Sequence, residues 1–260
     1  MLLVIDVGNT NMVYGVFKDN QLINTWRMTT GDGKTSDEIG ITIHSFLSCR
    51  GISLSSITGC IIGSVVPTVM YSLTHAIRKY LKIEPLIANC DMDLGITIVR
   101  ANPRTCGVDR FVDIIAAKEL YGVPAIVIDY GTANTFDVVN EKNEFITGFI
   151  TAGMKTCSEL LYQRSAQLPK VELVRPETMM AKNTVSSLQA GIVAGRIGET
   201  IEIIDTLKKE LNLPHAKVVA TGGLAKMIDS TGEIFDIYDP NLTLYGLKIL
   251  YDRNADKEEI

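Results

Sequence analysis

The sequence predicts an α/β protein made of two similar halves, and three observations predict it. The phrase LVIDVGNTN at residues 3 to 11 returns as IVIDYGTAN at residues 126 to 134, with an apolar run, an Asp, a spacer and a Gly in the same order. Each copy is followed by further strand-like segments around polar turns. Apolar runs of strand length then alternate with stretches of helical periodicity through most of the 260 residues.

Each element has its own signal. Residues 2 to 5 and 12 to 17 are apolar and flank the Gly8-Asn9-Thr10 loop, while Lys18-Asp19-Asn20-Gln21 makes a turn before LINTWRM. The opening therefore reads as three antiparallel strands. Thr35-Ser36-Asp37-Glu38 has the capping-box spacing of hydroxyl and Glu, and Ile39, Ile41, Ile43, Phe46 and Leu47 carry the helix on. CIIGSVV at 60 to 66 reads as a buried strand ended by Pro67, followed by a helix over 69 to 81. Residues 107 to 120 form another helix. AIVIDYG opens the second copy, and FDVVN and FITGFI around Glu141-Lys142-Asn143-Glu144 form its hairpin. Residues 186 to 210 read as one long helix or two joined ones, KVVATGG at 217 to 223 as a strand running into a Gly-Gly turn, and LTLYGLKILYDR as a closing helix before a fraying tail. The halves are assigned to residues 1 to 118 and 119 to 260.

Composition narrows the function. A hydrophobic fraction of 46% and a charged fraction of 21% belong to a folded globular chain. The net charge of −5, without a block of Lys and Arg, lacks the footprint of a polyanion binder, so no nucleic-acid partner is expected. The apolar start MLLVI stops at Asp6, and no apolar run is long enough to span a bilayer, so no membrane association is expected and the cytoplasm is the expected location. Five cysteines without a C-x-x-C pair argue for reduced packing residues rather than zinc or disulfides. His44, His75 and His215 occur singly and read as packing or surface residues.

The chemistry sits in the repeated loops. A tight loop leaving a strand presents backbone N–H groups to a phosphate, and Gly lets the backbone approach closely. An Asp at the strand end repels a polyphosphate directly, so Asp6 and Asp129 make sense with a cation or ordered water in between. One Asp-x-Gly loop alone is equally a β-turn with an Asx hydrogen bond. Two copies in duplicated halves favour the functional reading. Gly33-Lys34-Thr35 imitates the end of a P-loop, but position 28 is Met where that motif needs Gly, so Lys34 reads as a solvated lysine and Thr35 as a helix cap.

Two α/β halves with Asp-Gly loops and a later Thr-Gly-Gly turn resemble the acetate and sugar kinase, heat-shock protein and actin superfamily. That resemblance implies duplicated ribonuclease H-like (actin-like ATPase) domains with a nucleotide cleft between them. In detail the chain resembles the type III pantothenate kinases. The resemblance rests on Asp6-Val7-Gly8-Asn9-Thr10, Ser64-Val65-Val66-Pro67, Asn102-Pro103-Arg104, Gly107-Val108-Asp109-Arg110, Asp129-Tyr130-Gly131-Thr132-Ala133, Asn183-Thr184, Gln189 with Gly191, and Ala220-Thr221-Gly222-Gly223, in the expected order.

The resemblance implies ATP-dependent phosphorylation of pantothenate to 4′-phosphopantothenate, the first step of coenzyme A biosynthesis. It implies that Asp6, Val7, Gly8, Asn9, Thr10, Asn11, Met12 and Val13 surround the ATP phosphates, that Thr132 touches ATP, and that Thr221, Gly222 and Gly223 lie near adenosine. Asp129 corresponds to a ligand of a monovalent cation, K+ or NH4+, with Mg2+ accompanying ATP. Gly107, Val108, Asp109 and Arg110 correspond to the pantothenate site, with Asp109 as proton acceptor and Arg110 as anchor. Thr184 would reach pantothenate from the neighbouring subunit of a homodimer. At the start of its helix, Asp109 is expected to have its ionised form favoured by the helix dipole and by Arg110. Its other reading is a helix-capping Asp.

Four departures keep an alternative open. Arg100 stands in the acceptor region where the family usually has Tyr, Asn134 replaces a Thr yet keeps an amide able to donate to phosphate, Thr151-Ala152-Gly153 replaces Ser-Pro-Gly, and Arg196 replaces an aromatic residue. Tyr245 likewise stands where Glu is common. A catalytically impaired nucleotide-binding regulatory relative, or a kinase with an altered acceptor, is the second reading.

Overall fold

A computed structural model describes residues 1–31, 33–99 and 102–255. The chain divides into two compact units, Met1–Ala116 with the C-terminal helix, and Ala117–Asn241.

In the first unit, strands β1 (Leu2–Val7), β2 (Asn11–Lys18) and β3 (Gln21–Thr29) form the expected antiparallel meander. β4 (Gly59–Ser64) runs parallel to β1 and the short β5 (Leu86–Ile87) parallel to β4, giving the order β3-β2-β1-β4-β5. A two-residue strand β6 (Thr97–Ile98) follows later in the chain. Side chains alternate across a sheet, so each strand feeds two faces. Leu3, Ile5 and Val7 join Met12, Tyr14 and Val16 in one buried cluster with residues of α1 (Ser36–Ser48) and α2 (Pro67–Ala76).

Local chemistry sets these helix starts. Thr35 caps α1 by accepting from Glu38 N at 3.2 Å, while Glu38 Oε2 accepts from Thr35 N at 2.8 Å, a box worth about 1 kcal/mol. Thr35 is thus a cap, and Lys34, half-buried in the loop before it, donates from Nζ to Thr29 O at 2.5 Å. Pro67 occupies the first turn of α2, where its missing N–H costs nothing.

The other face of the first sheet carries Asp6 and is covered by α3 (Val108–Tyr121) and α7 (Leu242–Asn254). Small residues make room there. A Cβ on Gly15 would lie 3.1 Å from Leu244 Cδ1, and one on Gly63 would lie 2.8 Å from Leu247 Cδ2 and 3.3 Å from Val108 Cγ1. Gly246 brings α7 so close to α3 that an added Cβ would stand 2.1 Å from Val112 O.

In the second unit, β7 (Ala125–Tyr130), β8 (Ala133–Val139) and β9 (Glu144–Ala152) form a meander, β10 (Lys217–Thr221) runs parallel to β7, and β11 (Ile237–Tyr238) parallel to β10. Within this unit the order β9-β8-β7-β10-β11 repeats β3-β2-β1-β4-β5 strand for strand, with the same directions. Three helices accompany it, α4 (Met154–Arg164), α5 (Thr184–Glu210) and the single turn α6 (Ala225–Ile228). Ile126, Ile128, Tyr130, Phe136 and Val138 pack against Val193, Ile204 and Leu207 of α5. The region 186 to 210 is one helix, starting two residues early at a capping box in which Asn183 Oδ1 accepts from Ser186 N at 2.9 Å.

Two sequence expectations change. The expected boundary at 118/119 falls inside α3, and α7 belongs to the first unit rather than to a continuous 119 to 260 half, because its leucines and Gly246 pack on α3 and on the first sheet. α4 was not expected, since in this polar helix only Met154 and Ser158 are buried and its sequence shows no full apolar stripe.

Candidate active site

The two repeated carboxylates occupy equivalent strand ends. Asp6 is in register with Val13 on β2 and Gly63 on β4, and Asp129 with Thr135 on β8 and Thr221 on β10. Both point away from the main apolar core of their unit, because the residues on either side of each, Ile5 and Val7 or Ile128 and Tyr130, are the ones that enter it. The loops differ by one residue. Three residues, Gly8, Asn9 and Thr10, separate β1 from β2, whereas two, Gly131 and Thr132, separate β7 from β8.

That difference changes the correspondence read from the ungapped repeat. Met12 faces Val7, and Asn134 faces Tyr130, so Asn134 is the structural counterpart of Met12 rather than of Asn11. Its side chain is 1% exposed on the face that also carries Phe136 and Val138 into the core. A one-residue slip moves a strand side chain to the opposite face. Its amide nitrogen Nδ2 is buried there without a hydrogen-bond partner.

In the first unit, Asp6, Gly8 and Asn11 to Val13 are partly or fully buried, and Asn9 and Thr10 are exposed at the loop tip. The loop is held from β3, since Thr30 Oγ1 donates to Gly8 O at 2.7 Å and Thr30 N to Thr10 O at 3.0 Å. Beside it, Val65 N donates to Val7 O at 3.1 Å, and Ser64 Oγ accepts from Val66 N at 3.1 Å. Val108 packs at Gly63, the residue paired with Asp6, so the start of α3 stands at the strand ends beside the first loop. This brings Gly107 to Arg110 and the Asp6 loop to one end of one sheet. Arg100 lies outside the described residues.

Asp109 is partly buried, and its Oδ1 accepts from Arg110 N at 2.8 Å. Burial raises its carboxyl pKa above the usual aspartate range and outweighs the hydrogen bond from Arg110 N and the Arg110 charge, which act to lower it. The expectation that the dipole and Arg110 would prevail is therefore corrected. Gly107 yields space to this carboxylate, since a Cβ there would meet Asp109 Oδ1 at 2.5 Å. Arg110 is 6% exposed and Asp113, one turn on, 2% exposed.

In the second unit, Thr221 is 3% exposed, and Gly222 has φ of +88° with its Cα pressed against the end of β7. Gly223 has open space around it. The Gly131-Thr132 loop is held from the start of α4, where Gly153 N donates to Thr132 O at 3.1 Å and Thr156 Oγ1 to the same oxygen at 2.7 Å. Thr184 opens α5 and is exposed. Thr30, Gly153 and Thr156 therefore support the loops. The resemblance pointed at the segment holding Gly153, and nothing local in the sequence marked Thr30.

Among the described residues no group of three or more His, Cys, Asp or Glu side chains is placed to hold a metal ion. Single carboxylates at Asp6 and Asp129 suit a cation that takes its remaining ligands from phosphate oxygens, backbone carbonyls and water, as hard cations beside nucleotides do.

The sequence profile of the type III pantothenate kinase family matches residues 2–206. The type III pantothenate kinase of Geobacillus sp. (strain WCH70) is 44% identical over 259 residues, covering 100% of each chain. The chain belongs to the type III pantothenate kinase family. Among solved structures, a Baf family protein from Campylobacter jejuni is similar with a TM-score of 0.59 at 18% identity, over 98% of this chain and 99% of its own. A Sinorhizobium meliloti protein assigned as a 2-dehydro-3-deoxygalactonokinase has a TM-score of 0.58 at 11% identity, over 96% and 95%. These likenesses bear on the fold alone, and with the repeated strand order they give the duplicated ribonuclease H-like fold of the actin-like ATPases and sugar kinases.

Proposed function

We propose that this chain transfers the terminal phosphoryl group of ATP to the primary hydroxyl of pantothenate, giving 4′-phosphopantothenate for coenzyme A biosynthesis. The observation that carries this reading is the full-length identity of 44% to a type III pantothenate kinase.

In this reading the Asp6 to Val13 loop and Thr132 hold the ATP phosphates through backbone N–H groups and hydroxyls, with Thr221, Gly222 and Gly223 near adenosine. Mg2+ accompanies ATP, and Asp129 serves a monovalent cation, K+ or NH4+. These cations neutralise phosphate charge, which is where most catalysis of phosphoryl transfer lies. Gly107 to Arg110, with Arg100, bind pantothenate. Asp109 accepts the hydroxyl proton, and a carboxyl with a raised pKa is a stronger base than a free aspartate once ionised.

Thr184 contacts pantothenate from a second copy in a homodimer. Exposed Leu160, Leu161 and Tyr162 on α4, with Val185 and Ile201 on α5, support a partner copy on this side of the second unit. No helix among the described residues is long and apolar enough to cross a membrane. The cytoplasm is the proposed location.

The test is an ADP-release assay with ATP, Mg2+ and K+, plus or minus pantothenate, with the product identified by mass. Pantothenate-dependent 4′-phosphopantothenate is the expected result. ATP binding by a folded protein without turnover would instead support the regulatory or altered-acceptor reading.

A further inference from the structure

Three of the residues that depart from the family pattern meet in one hydrogen-bonded network around a buried Arg196. Arg196 of α5 is 7% exposed, and its guanidinium reaches the last two residues of β9, Thr151 and Ala152, which pair with Asn134 and Ala133 of β8. Nη1 donates to Thr151 Oγ1 at 2.8 Å and also to Glu199, one helical turn away, while Nη2 donates to Ala152 O at 2.5 Å. Burying a guanidinium is costly unless it is paired and its hydrogen bonds are used; Glu199 provides the opposing charge, both Nη groups are engaged, and Nε has no partner.

The next residue is Gly153, the one that grips the second loop. Its N–H donates to Thr132 O, and its Cα is so close to the loop that a Cβ would stand 2.4 Å from both Gly131 O and Thr132 O. Thr156 adds its hydroxyl to Thr132 O. A continuous chain of contacts thus runs from Arg196 through Thr151 and Ala152 to Gly153, and from Gly153 to Gly131 and Thr132. A proline at 152 would restrict its φ, and with Ala152 there no ring supplies that restraint.

We propose that Arg196 is a positioning residue for nucleotide binding. It adds two hydrogen bonds to the end of β9 at Thr151 and Ala152, beyond their pairing with β8, and Gly153 next to them holds the Gly131-Thr132 loop. The proposal rests on the assignment of that loop to ATP, given above. In this role Arg196 acts through the strand end it binds, so its effect falls on the alignment of the loop rather than on the acceptor.

The test uses the full chain. Arg196→Met keeps the bulk of the side chain and removes both donors, Arg196→Lys keeps the charge with a single donor centre, and Thr151→Val removes one acceptor with little change of shape. Two readouts are taken, amide hydrogen exchange at Gly153 and its neighbours without ligand, and KM for ATP and for pantothenate. Arg196→Met is expected to speed exchange at Gly153 and to raise KM for ATP about tenfold with KM for pantothenate unchanged, since small misplacements of a positioning loop cost this much. Arg196→Lys should recover part of the loss. Thr151→Val should act in the same direction, with less than additive effect in the double variant because both belong to one network.

Unchanged exchange at Gly153 in Arg196→Met and in Thr151→Val would overturn the clamp, whatever the activity. Faster exchange with an unaltered KM for ATP would leave the clamp standing and overturn the assignment of the loop to ATP. Should Arg196→Met fail to fold, Thr151→Val decides alone by the same two readouts.

Discussion

Gly222 and Asp129 share a space that no side chain at 222 can enter. A Cβ on Gly222 would stand 2.5 Å from Asp129 Oδ1 and 2.6 Å from Tyr130 N, and the backbone at 222 already has φ of +88°. Gly222→Ala therefore meets two penalties, the left-handed backbone and overlap with the strand end, costing roughly 1–3 kcal/mol or more. The expected outcome is a lower Tm together with weaker ATP binding, measured by thermal unfolding and calorimetric titration. Unchanged ATP affinity in this variant would remove the Thr-Gly-Gly turn from the nucleotide site.

Asp109→Asn preserves an oxygen acceptor for Arg110 N but removes the base. A loss in kcat of roughly 10²- to 10⁴-fold is expected with KM for ATP little changed. Wild-type activity in this variant would end the proton-acceptor role.

The same substitution has a stability signature. Because burial raises the folded pKa of Asp109, the fold favours its protonated form, and the ionised carboxylate subtracts from stability above that pKa. Below the ordinary aspartate pKa both folded and unfolded chains are protonated and the penalty vanishes. Asp109→Asn is thus expected to raise Tm near pH 7, with the gain shrinking as pH falls through the raised pKa toward the ordinary one. A gain that grows on acidification would contradict the sign.

Removing K+ and NH4+ from the assay should lower turnover, and Asp129→Asn should lower it and abolish the response to added K+. The check is a titration with KCl at constant ionic strength, with choline chloride as balance. An undiminished K+ response in the variant would move the cation elsewhere.

Gly246→Ala addresses stability alone. The new Cβ would stand 2.1 Å from Val112 O, so α7 must shift from α3, at a cost of about 1–3 kcal/mol. A lower urea midpoint is expected. An unchanged midpoint would mean that the two helices separate there without loss.

Much of this architecture was legible because local and long-range signals agreed. The capping box at Thr35 and Glu38, Pro67 at a helix start and the alternating strands of both meanders each announced an element, and the repeated Asp-Gly phrase announced the duplication. What escaped were features fixed by tertiary contact. α4 has too few apolar residues to show a period, and the missing loop residue in the second copy shows only when Asn134 is seen opposite Tyr130. The raised pKa of Asp109 depends on burial, which sequence neighbours do not report. Arg196 and Thr151 stood out as separate departures, and only the fold joins them.

The return of α7 to the first unit bears on how the chain matures during synthesis. All of Ala117–Asn241 is translated before the helix that covers the Asp6-bearing face of the first sheet. The second unit has its whole sequence in hand first, while the earlier-made one waits with that face covered by α3 alone. A ribosome stalled before Leu242 would thus carry a C-terminal unit with all its strands and an N-terminal unit still short of its last helix, reversing the usual order in which a nascent polypeptide acquires its domains.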